Sequence, residues 1–296
     1  MGNFGKKKTK ALAPAPVARV ASTAADPWYL RHDPVAQDLK GADLHGADLS
    51  WTDLHGRSLK GANLAGANLS MATLNKANLA DTNLDGATLT GVDMIGVRSG
   101  GIIGTPVLGP RWRLVNGYIV GPQANVQKAD LRGADLSGLD LSLTILKGAD
   151  LSGADLSGLD LIHADLSAAN LENTNLSDAN LMVANLTGAN LNNATLAGAN
   201  LNNANLSGTD LSHKVLTGAK LKGANLTGAN LTGADLRGID LTAANLGDTD
   251  LTGTLLAGAN LTRARLANAV KGDAMTDQST TCPSGKPGPC WQRRPS

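Results

Sequence analysis

The sequence predicts an all-β solenoid, a coil that turns a corner after every five residues. A core leucine recurs at every fifth residue from Leu39 to Leu89, where Met94 takes the next place. A second array starts at Val126 and continues with leucine at every fifth residue from Leu131 to Leu266. The residue two places before each core position is mostly Ala, which indicates that the two side chains form an inward pair. Gly is frequent two places after the core position, which indicates a turn there.

Other regular structures do not fit a period of five. On an α-helix five residues rotate by about 500°, which leaves about 140° between successive leucines and distributes them around the whole cylinder. On a straight strand an odd period places alternate leucines on opposite faces. A coil with four sides instead stacks residues that lie twenty apart. Leu139, Leu159 and Ile239, the large residues at the small inward position, are separated by multiples of twenty, as four sides predict.

Residues 1–36 are expected to form a basic, Pro/Ala-rich arm and cap. Lys6, Lys7, Lys8 and Lys10 form a basic cluster, and the prolines that follow make the segment a poor signal peptide. Two interpretations stay open. The arm is solvated, or it becomes ordered on a partner, either nucleic acid or a neighbouring subunit.

The first repeat array is expected over residues 37–96 and the second over 124–270, with an insert at 97–123 that shifts their phase. Within the insert, Asn116-Gly117 lies between apolar flanks and predicts a two-residue β-hairpin turn. The hairpin would be either a protruding partner-binding element that carries Trp112 and Tyr118, or a structural splice that lets the coil restart. We favour the splice.

The repeats themselves, such as Ala134-Asp135-Leu136-Ser137-Gly138 and Ala224-Asn225-Leu226-Thr227-Gly228, resemble those of the pentapeptide repeat family. The resemblance covers roughly residues 37–270. It implies a right-handed quadrilateral parallel β-helix, here of about ten coils interrupted by one hairpin-containing insert. The insert also resembles a linker of long members of the family, which supports the splice interpretation.

Residues 271–296 form a tail that holds both cysteines of the chain, Cys282 and Cys290. In an oxidising compartment a disulfide between them would close a short Gly/Pro loop and help to cap the coil, whereas in the cytosol they would be free thiols. The tail resembles the ends of exported family members. A cytoplasmic or particle-associated location is favoured, and an exported one stays open because of this tail.

Acidic residues concentrate at the start of the second array. Residues 128–213 carry ten acidic and three basic side chains, a net −7, although the whole chain is +1. Stacking at intervals of twenty pairs the candidate interaction residues Asp130 with Asp150, Asp135 with Asp155, and Asp140 with Asp160. Because some pentapeptide repeat proteins bind DNA gyrase in place of DNA, the resemblance allows DNA mimicry. The alternative is that these side chains only hydrate the surface.

We expect no catalytic activity, cofactor or metal site. The five histidines are scattered, and the sequence contains no zinc-protease or phosphate-loop motif. A filled Leu/Ala core leaves no pocket of ordinary ligand size. No apolar run reaches eighteen residues, so no membrane span is expected. Two basic residues, Arg57 and Lys214, fall at the small inward position, where we expect local distortion or an escape of the side chains to solvent.

The function predicted from these observations is that of a non-enzymatic structural or protein-interaction protein, a rigid spacer or docking surface within a virion, an envelope or another particle. Its partners would be other proteins or further copies of the chain. Direct binding of nucleic acid is expected only if the basic cluster of the arm provides it. The alternative is a DNA mimic that binds DNA gyrase or another topoisomerase.

Overall fold

The computed structural model describes residues 38–291, which form a four-sided parallel β-helix. Residues twenty apart pair in parallel from coil to coil, as Asp43 pairs with Asn63 and Asn63 with Asn83. The sides are so short that most of them pair through single bridges. Within the coil the regular strands are β1, Thr88–Leu89, and its parallel partner β2, Val107–Leu108.

Each corner is built by the repeat sequence itself. In the repeat that starts at Asp150, the amide of Ser152 donates to Oδ1 of Asp150 at 3.1 Å, and the amide of Ala154 donates to the carbonyl of Leu151 at 3.0 Å. The intervening Gly153 has φ of 67°, the left-handed conformation that such a turn requires at its third residue. Asp or Asn before the core leucine and Gly two residues after it therefore each have a structural reason.

The core consists of stacked leucines and small residues, as the sequence predicts. The core leucines from Leu44 to Leu261 are almost fully buried, and the inward alanines lie beside them. Several inward positions hold buried Thr, whose hydroxyl donates to the coil below: Thr174 to the carbonyl of Leu151 at 2.9 Å, and Thr254 to that of Leu231 at 2.8 Å. These bonds satisfy the hydroxyls, so the core remains free of unpaired polar side chains within the described residues.

The insert joins the two arrays into one ladder. Arg98, at the start of the insert, pairs with Asn78 of the first array and with Asn125, which pairs in turn with Ile145 of the second array. Two strands, β3 (Arg113–Val115) and β4 (Tyr118–Val120), form the expected antiparallel hairpin. Its turn residues Asn116 and Gly117 both have positive φ, 48° and 77°, as a type I′ turn requires.

The hairpin lies in the wall of the rod instead of protruding from it. Ile119 is fully buried in the core of the first array and Val120 in that of the second. The insert displaces part of a coil, and side chains of the hairpin donate hydrogen bonds in place of the backbone amides of that coil. The guanidinium of Arg113 donates to the carbonyls of Asp135 and Ser137 at 2.8 and 3.0 Å. The hairpin therefore caps the first coil of the second array.

The C-terminal end of the described chain closes the rod in a similar way. Thr281 continues the parallel ladder on Asn260 and then pairs antiparallel with Pro287. Cys282 and Cys290 form a disulfide with a Cα–Cα distance of 5.1 Å. The indole of Trp291 donates to the carbonyl of Ala274 at 3.3 Å. Residues 38–291 contain no helix that could cross a bilayer.

Candidate interaction surfaces

Trp112 and Tyr118 are half-buried in the splice. The ring of Trp112 packs against the cores of both arrays, and Tyr118 packs against that of the second. This placement accords with the splice interpretation, because the rod itself uses much of each aromatic surface. Binding of a partner through these two residues stays a prediction.

The acidic stack is present as the sequence predicts, but arginines partly neutralise it. Asp130 pairs with Asp150, Asp135 with Asp155, and Asp140 with Asp160. Arginine nitrogens lie near four of these six carboxylates: Arg132 at 2.6 Å from Asp130 and 3.9 Å from Asp150, Arg113 at 3.7 Å from Asp135, and Arg111 at 3.8 Å from Asp140. The stack therefore presents much less negative potential than its sequence indicates.

The Asp130–Arg132 pair is the strongest of these contacts. Two guanidinium nitrogens of Arg132 bond the carboxylate of Asp130 at 2.8 and 2.6 Å. These side-chain bonds, together with the Arg132 amide, lower the pKa of Asp130 to about 2. At Asp155, which has no arginine, hydrogen bonds from Ser157 are the main cause that lowers the pKa. These carboxylates hold a negative charge and show no sign of acid–base function.

Farther along the rod, Asp and Asn alternate for a physical reason. The amide of Asn170 donates to the carboxylate of Asp150 at 3.0 Å, and Asn190 donates to Asn170 at 3.0 Å. Asn above Asp allows a bond between coils, whereas Asp above Asp allows none and places like charges one strand apart. The change from Asp to Asn along the array thus extends a hydrogen-bonded column.

A cleft of about 700 Å³ opens in the wall beside Lys214, where the sequence led us to expect no pocket. That expectation was wrong because it treated the core as uniform. Burial of the Lys214 side chain lowers its pKa, an effect that the nearby Asp210 opposes. Its ammonium donates to the carbonyl of Ala194 in the coil below at 3.0 Å. This is the local distortion expected of an inward lysine.

The ladder is interrupted at this cleft. Within residues 38–291, the amides that have no backbone partner across it are those of Leu191, Asn193, Leu196, Asp210 and Val215. Beside the gap the bond from Gly188 to the carbonyl of Ser207 is stretched to 3.4 Å, whereas Gly198 to Thr217 is a normal 3.0 Å. The inward lysine lies within this interruption, which runs along parts of two sides. Elsewhere in the described part of the chain the amides of Leu136, Asp155, Asp160, Leu221 and Asp240 also lack a backbone partner, at places without an inward lysine.

Sequence reasoning missed an exposed apolar corner. In the second array, the large apolar residues at the two positions after each core leucine are Leu143, Ile162, Met182 and Val183. All four lie on one corner of three successive coils, since Leu143 donates to the carbonyl of Ile162 and His163 to that of Met182. The signal was available in their spacing of nineteen to twenty residues, but it lies at turn positions outside the core pattern.

This corner continues toward the first array. The amide of Gln123 donates to Ser142, and that of Gly96 to Gln123, so the same edge runs back to Ile95. We call Ile95, Leu143, Ile162, Met182 and Val183 the apolar ridge. Ile95, Leu143 and Val183 are 41%, 50% and 39% exposed, and Ile162 and Met182 are half-buried. A smaller cavity of about 340 Å³, lined by Ile95, Trp112 and Pro122, adjoins its end.

No group of His, Cys, Asp or Glu within residues 38–291 has an arrangement that could hold a metal ion. The remaining polar side chains mostly bond to neighbouring coils or to their own turns. Over the described rod the surface features that depart from this pattern include the ridge, the cleft, the partly neutralised acidic stack and the exposed pair Trp51 and Met71 of the first array.

Two solved structures are among the known proteins to which the chain is similar. The chain is similar to HetL from the cyanobacterium Nostoc sp., a pentapeptide repeat protein involved in heterocyst differentiation regulation, with 30% identity over 83% of this chain and 92% of that one and a TM-score of 0.36. It is similar to QnrB1, a plasmid-mediated fluoroquinolone resistance protein, with 17% identity over 82% and 85% of the two chains and a TM-score of 0.38. No curated protein matches the chain.

The family match covers most of the described rod. The pentapeptide repeat profile matches residues 36–56 and 58–97 and, in overlapping segments, 124–270. The gap at 98–123 coincides with the insert that carries the hairpin. The chain therefore belongs to the pentapeptide repeat family and folds as a right-handed quadrilateral β-helix.

Proposed function

We propose that this protein is a non-enzymatic, rigid spacer and docking surface within a larger assembly such as a virion, an envelope layer or another particle. The observation that carries the proposal is the backbone ladder, which joins each coil to the next around a filled aliphatic core. Such a rod holds its surface groups at fixed positions along its axis, with coils about 4.8 Å apart. Its mechanism is geometric, because attachment points keep their spacing when partners bind.

The pattern of side chains supports the same role. Carboxylates and amides of the outer columns bond to turns and neighbouring coils, as Asn185 does to Asp165 at 3.1 Å. They stiffen the wall and present a hydrated surface. The apolar ridge is an exception to this hydrated surface.

DNA mimicry, the alternative function, is less well supported by the charges. Four of the six stacked carboxylates have an arginine nitrogen within 4 Å, and the columns beyond them change to neutral Asn. A substitute for duplex DNA requires a sustained negative field along the rod. A gyrase supercoiling assay separates the two functions, since inhibition or protection at micromolar protein would support mimicry and contradict the docking role.

The docking role is tested by native mass spectrometry of the protein purified gently from its source. We expect a defined complex or oligomer that survives size-exclusion chromatography. A preparation that contains only monomer, together with a pull-down that recovers nothing above the background of a denatured-bait control, would refute the proposal.

A further inference from the structure

The apolar ridge combines exposed apolar surface with unfavourable backbone geometry. Leu143 and Val183 have φ of 58° and 61°, the left-handed conformation that most repeats assign to Gly or Asn. For a β-branched residue such as Val this conformation is a true outlier, and it costs a non-glycine residue about 1–2 kcal/mol. Glycine at these positions would relieve the strain, so stability within the described rod does not explain the two side chains.

Acidic side chains flank the ridge on both sides. Asp140 and Asp160 lie in the column that precedes this corner, and Asp165 lies in the column that follows it, directly above Ile145. Ile145 adds a half-buried apolar side chain beside Leu143. A segment that covers this surface should therefore present apolar side chains between lysines or arginines.

The chain itself contains such a segment. Residues 1–37 include six basic and two acidic side chains, a net +4, interspersed with apolar residues such as Leu12, Val17, Val20 and Trp28. Opposite them, residues 128–213 carry a net −7, which Arg111 and Arg113 of the insert partly offset beside Asp140 and Asp135. The two parts of the chain are complementary both in charge and in their exposed or available apolar groups.

The described chain begins on the same side of the rod as the ridge, three coils below Ile95. Residues twenty apart stack in one column, so Asp38 of the first coil lies on the same side of the rod as Ile145. The members of this column are Ser58, Asn78, Arg98, Asn125, Ile145 and Asp165. The corner just before that side is the corner of the ridge. At about 4.8 Å per coil, Val183 lies about 34 Å above Asp38, a span that roughly a dozen extended residues cover.

We propose that residues 1–37 dock lengthwise on the apolar ridge of the same molecule, with their apolar side chains against Leu143, Ile162, Met182 and Val183 and their basic groups toward the flanking aspartates. The proposal adds an intramolecular contact to the docking role and does not depend on the identity of any partner. A tether of this length gives the segment a millimolar effective concentration, so even a weak contact is populated.

The test is photo-crosslinking in the full-length protein with p-benzoylphenylalanine in place of Val183. The matched control carries the same probe in place of Asn173, which has φ of 57° and lies ten residues away on the diagonally opposite corner. We expect crosslinks from position 183 to peptides of residues 1–37 at a yield roughly tenfold or more above position 173, given the tethered concentration.

A second variant distinguishes affinity from simple proximity. With the probe at position 183, Leu143→Ser and Ile162→Ser together should reduce the crosslink to the level of the control, while circular dichroism and the melting temperature show that the rod is folded. Mixing isotope-labelled and unlabelled protein reports whether the crosslink joins one chain or two.

Three results would overturn the proposal. They are equal yields at positions 183 and 173, a yield that does not respond to the two serine substitutions, and crosslinks that join two different chains. The last would identify a second copy as the occupant. The first two results do not bear on whether the rod forms larger complexes and the third would support such a complex, so failure here is distinguishable from failure of the docking role.

Discussion

Replacing Lys214 by Ala should close the cleft in the wall of the rod. Lys214 occupies an inward position that is held by Ala194 in the coil below and Ala234 in the coil above. The Lys214 side chain lies in the gap between its own coil and the coil below. It donates a hydrogen bond to only one of the carbonyls along this gap. Lys214→Ala removes the obstruction and restores the repeat consensus, so the two coils can approach to normal ladder spacing.

The size of the effect follows from the bonds that are missing. Closing the gap would pair the five amides that now have no backbone partner across it. At about 0.5–1.5 kcal/mol net for each bond, and with about 1.5–3 kcal/mol lost from the Lys214–Ala194 bond, we expect the free energy of unfolding to rise by roughly 2–4 kcal/mol. Since Lys214 is only partly buried, its desolvation adds little to this figure.

Native-state hydrogen exchange measures the effect where it occurs. We expect exchange of the amides of Leu191, Leu196 and Val215 to slow by at least about tenfold, which corresponds to 1.4 kcal/mol or more. The control is Lys220→Ala, which removes the same charge from an exposed side chain six residues away. It should leave exchange at the cleft unchanged. Lys214→Met keeps the length of the side chain without its charge and should leave the gap partly open.

Unchanged exchange at the cleft in Lys214→Ala would refute this reasoning, because the gap would then have a cause other than the inward lysine. Equal stabilisation by Lys220→Ala would refute it as well, since net charge and not the obstruction would be responsible. A fall in the melting temperature would show that the lysine supports the coil.

Three further outcomes are expected. Arg113→Ala removes two bonds to carbonyls of the first coil of the second array and should destabilise that coil by about 1–3 kcal/mol, measured by hydrogen exchange of the coil; no change would mean that the hairpin does not cap it. Asn170→Asp should lower the free energy of unfolding by about 1 kcal/mol in chemical denaturation. Asp150→Asn keeps a donor above an acceptor and should leave that free energy nearly unchanged. The reverse order would contradict the ladder argument. The pKa of Asp130 is lowered from 3.8 to about 2, so its contribution to the stability of the fold is present above pH 3.8 and is lost as pH falls toward 2. A carbon-detected NMR titration should show this midpoint, and the midpoint should return toward 3.8 in Arg132→Ala. A midpoint already near 3.8 in the native protein would contradict the pairing.

The fold could be predicted from the sequence because one physical requirement recurs at every turn. An inward Leu and an inward small residue are needed on each side of the coil, so the period of five and the stacking at twenty are visible without coordinates. The Asn116-Gly117 hairpin was equally readable, since its turn type demands residues that tolerate positive φ. What the sequence could not reveal was that Arg113 would reach the carbonyl of Asp135, which depends on how the hairpin fits into the wall.

The candidate surface was less predictable for a related reason. The repeat pattern directs attention to inward positions, whereas Leu143 and Val183 occupy turn positions, where most repeats have Gly or Asn. Their common corner becomes apparent only after the twenty-residue register is applied to those positions. Similarly, an inward Lys214 indicated distortion, but the sequence left open whether its side chain would escape to solvent or open the wall.

The insert, the inward Lys214 and the ridge differ in how their costs are offset. In a solenoid each coil contacts only its neighbours, so a local cost must be compensated nearby. The insert displaces part of a coil, and Arg113 provides the missing donors. Lys214 interrupts the ladder, and its ammonium recovers the carbonyl of Ala194. The ridge has no such compensation within residues 38–291, because Leu143 and Val183 combine strained backbone with apolar surface left in water. A contact from outside the described rod would offset this cost, and Asp38, where the described chain begins, lies on the side that follows the corner of the ridge.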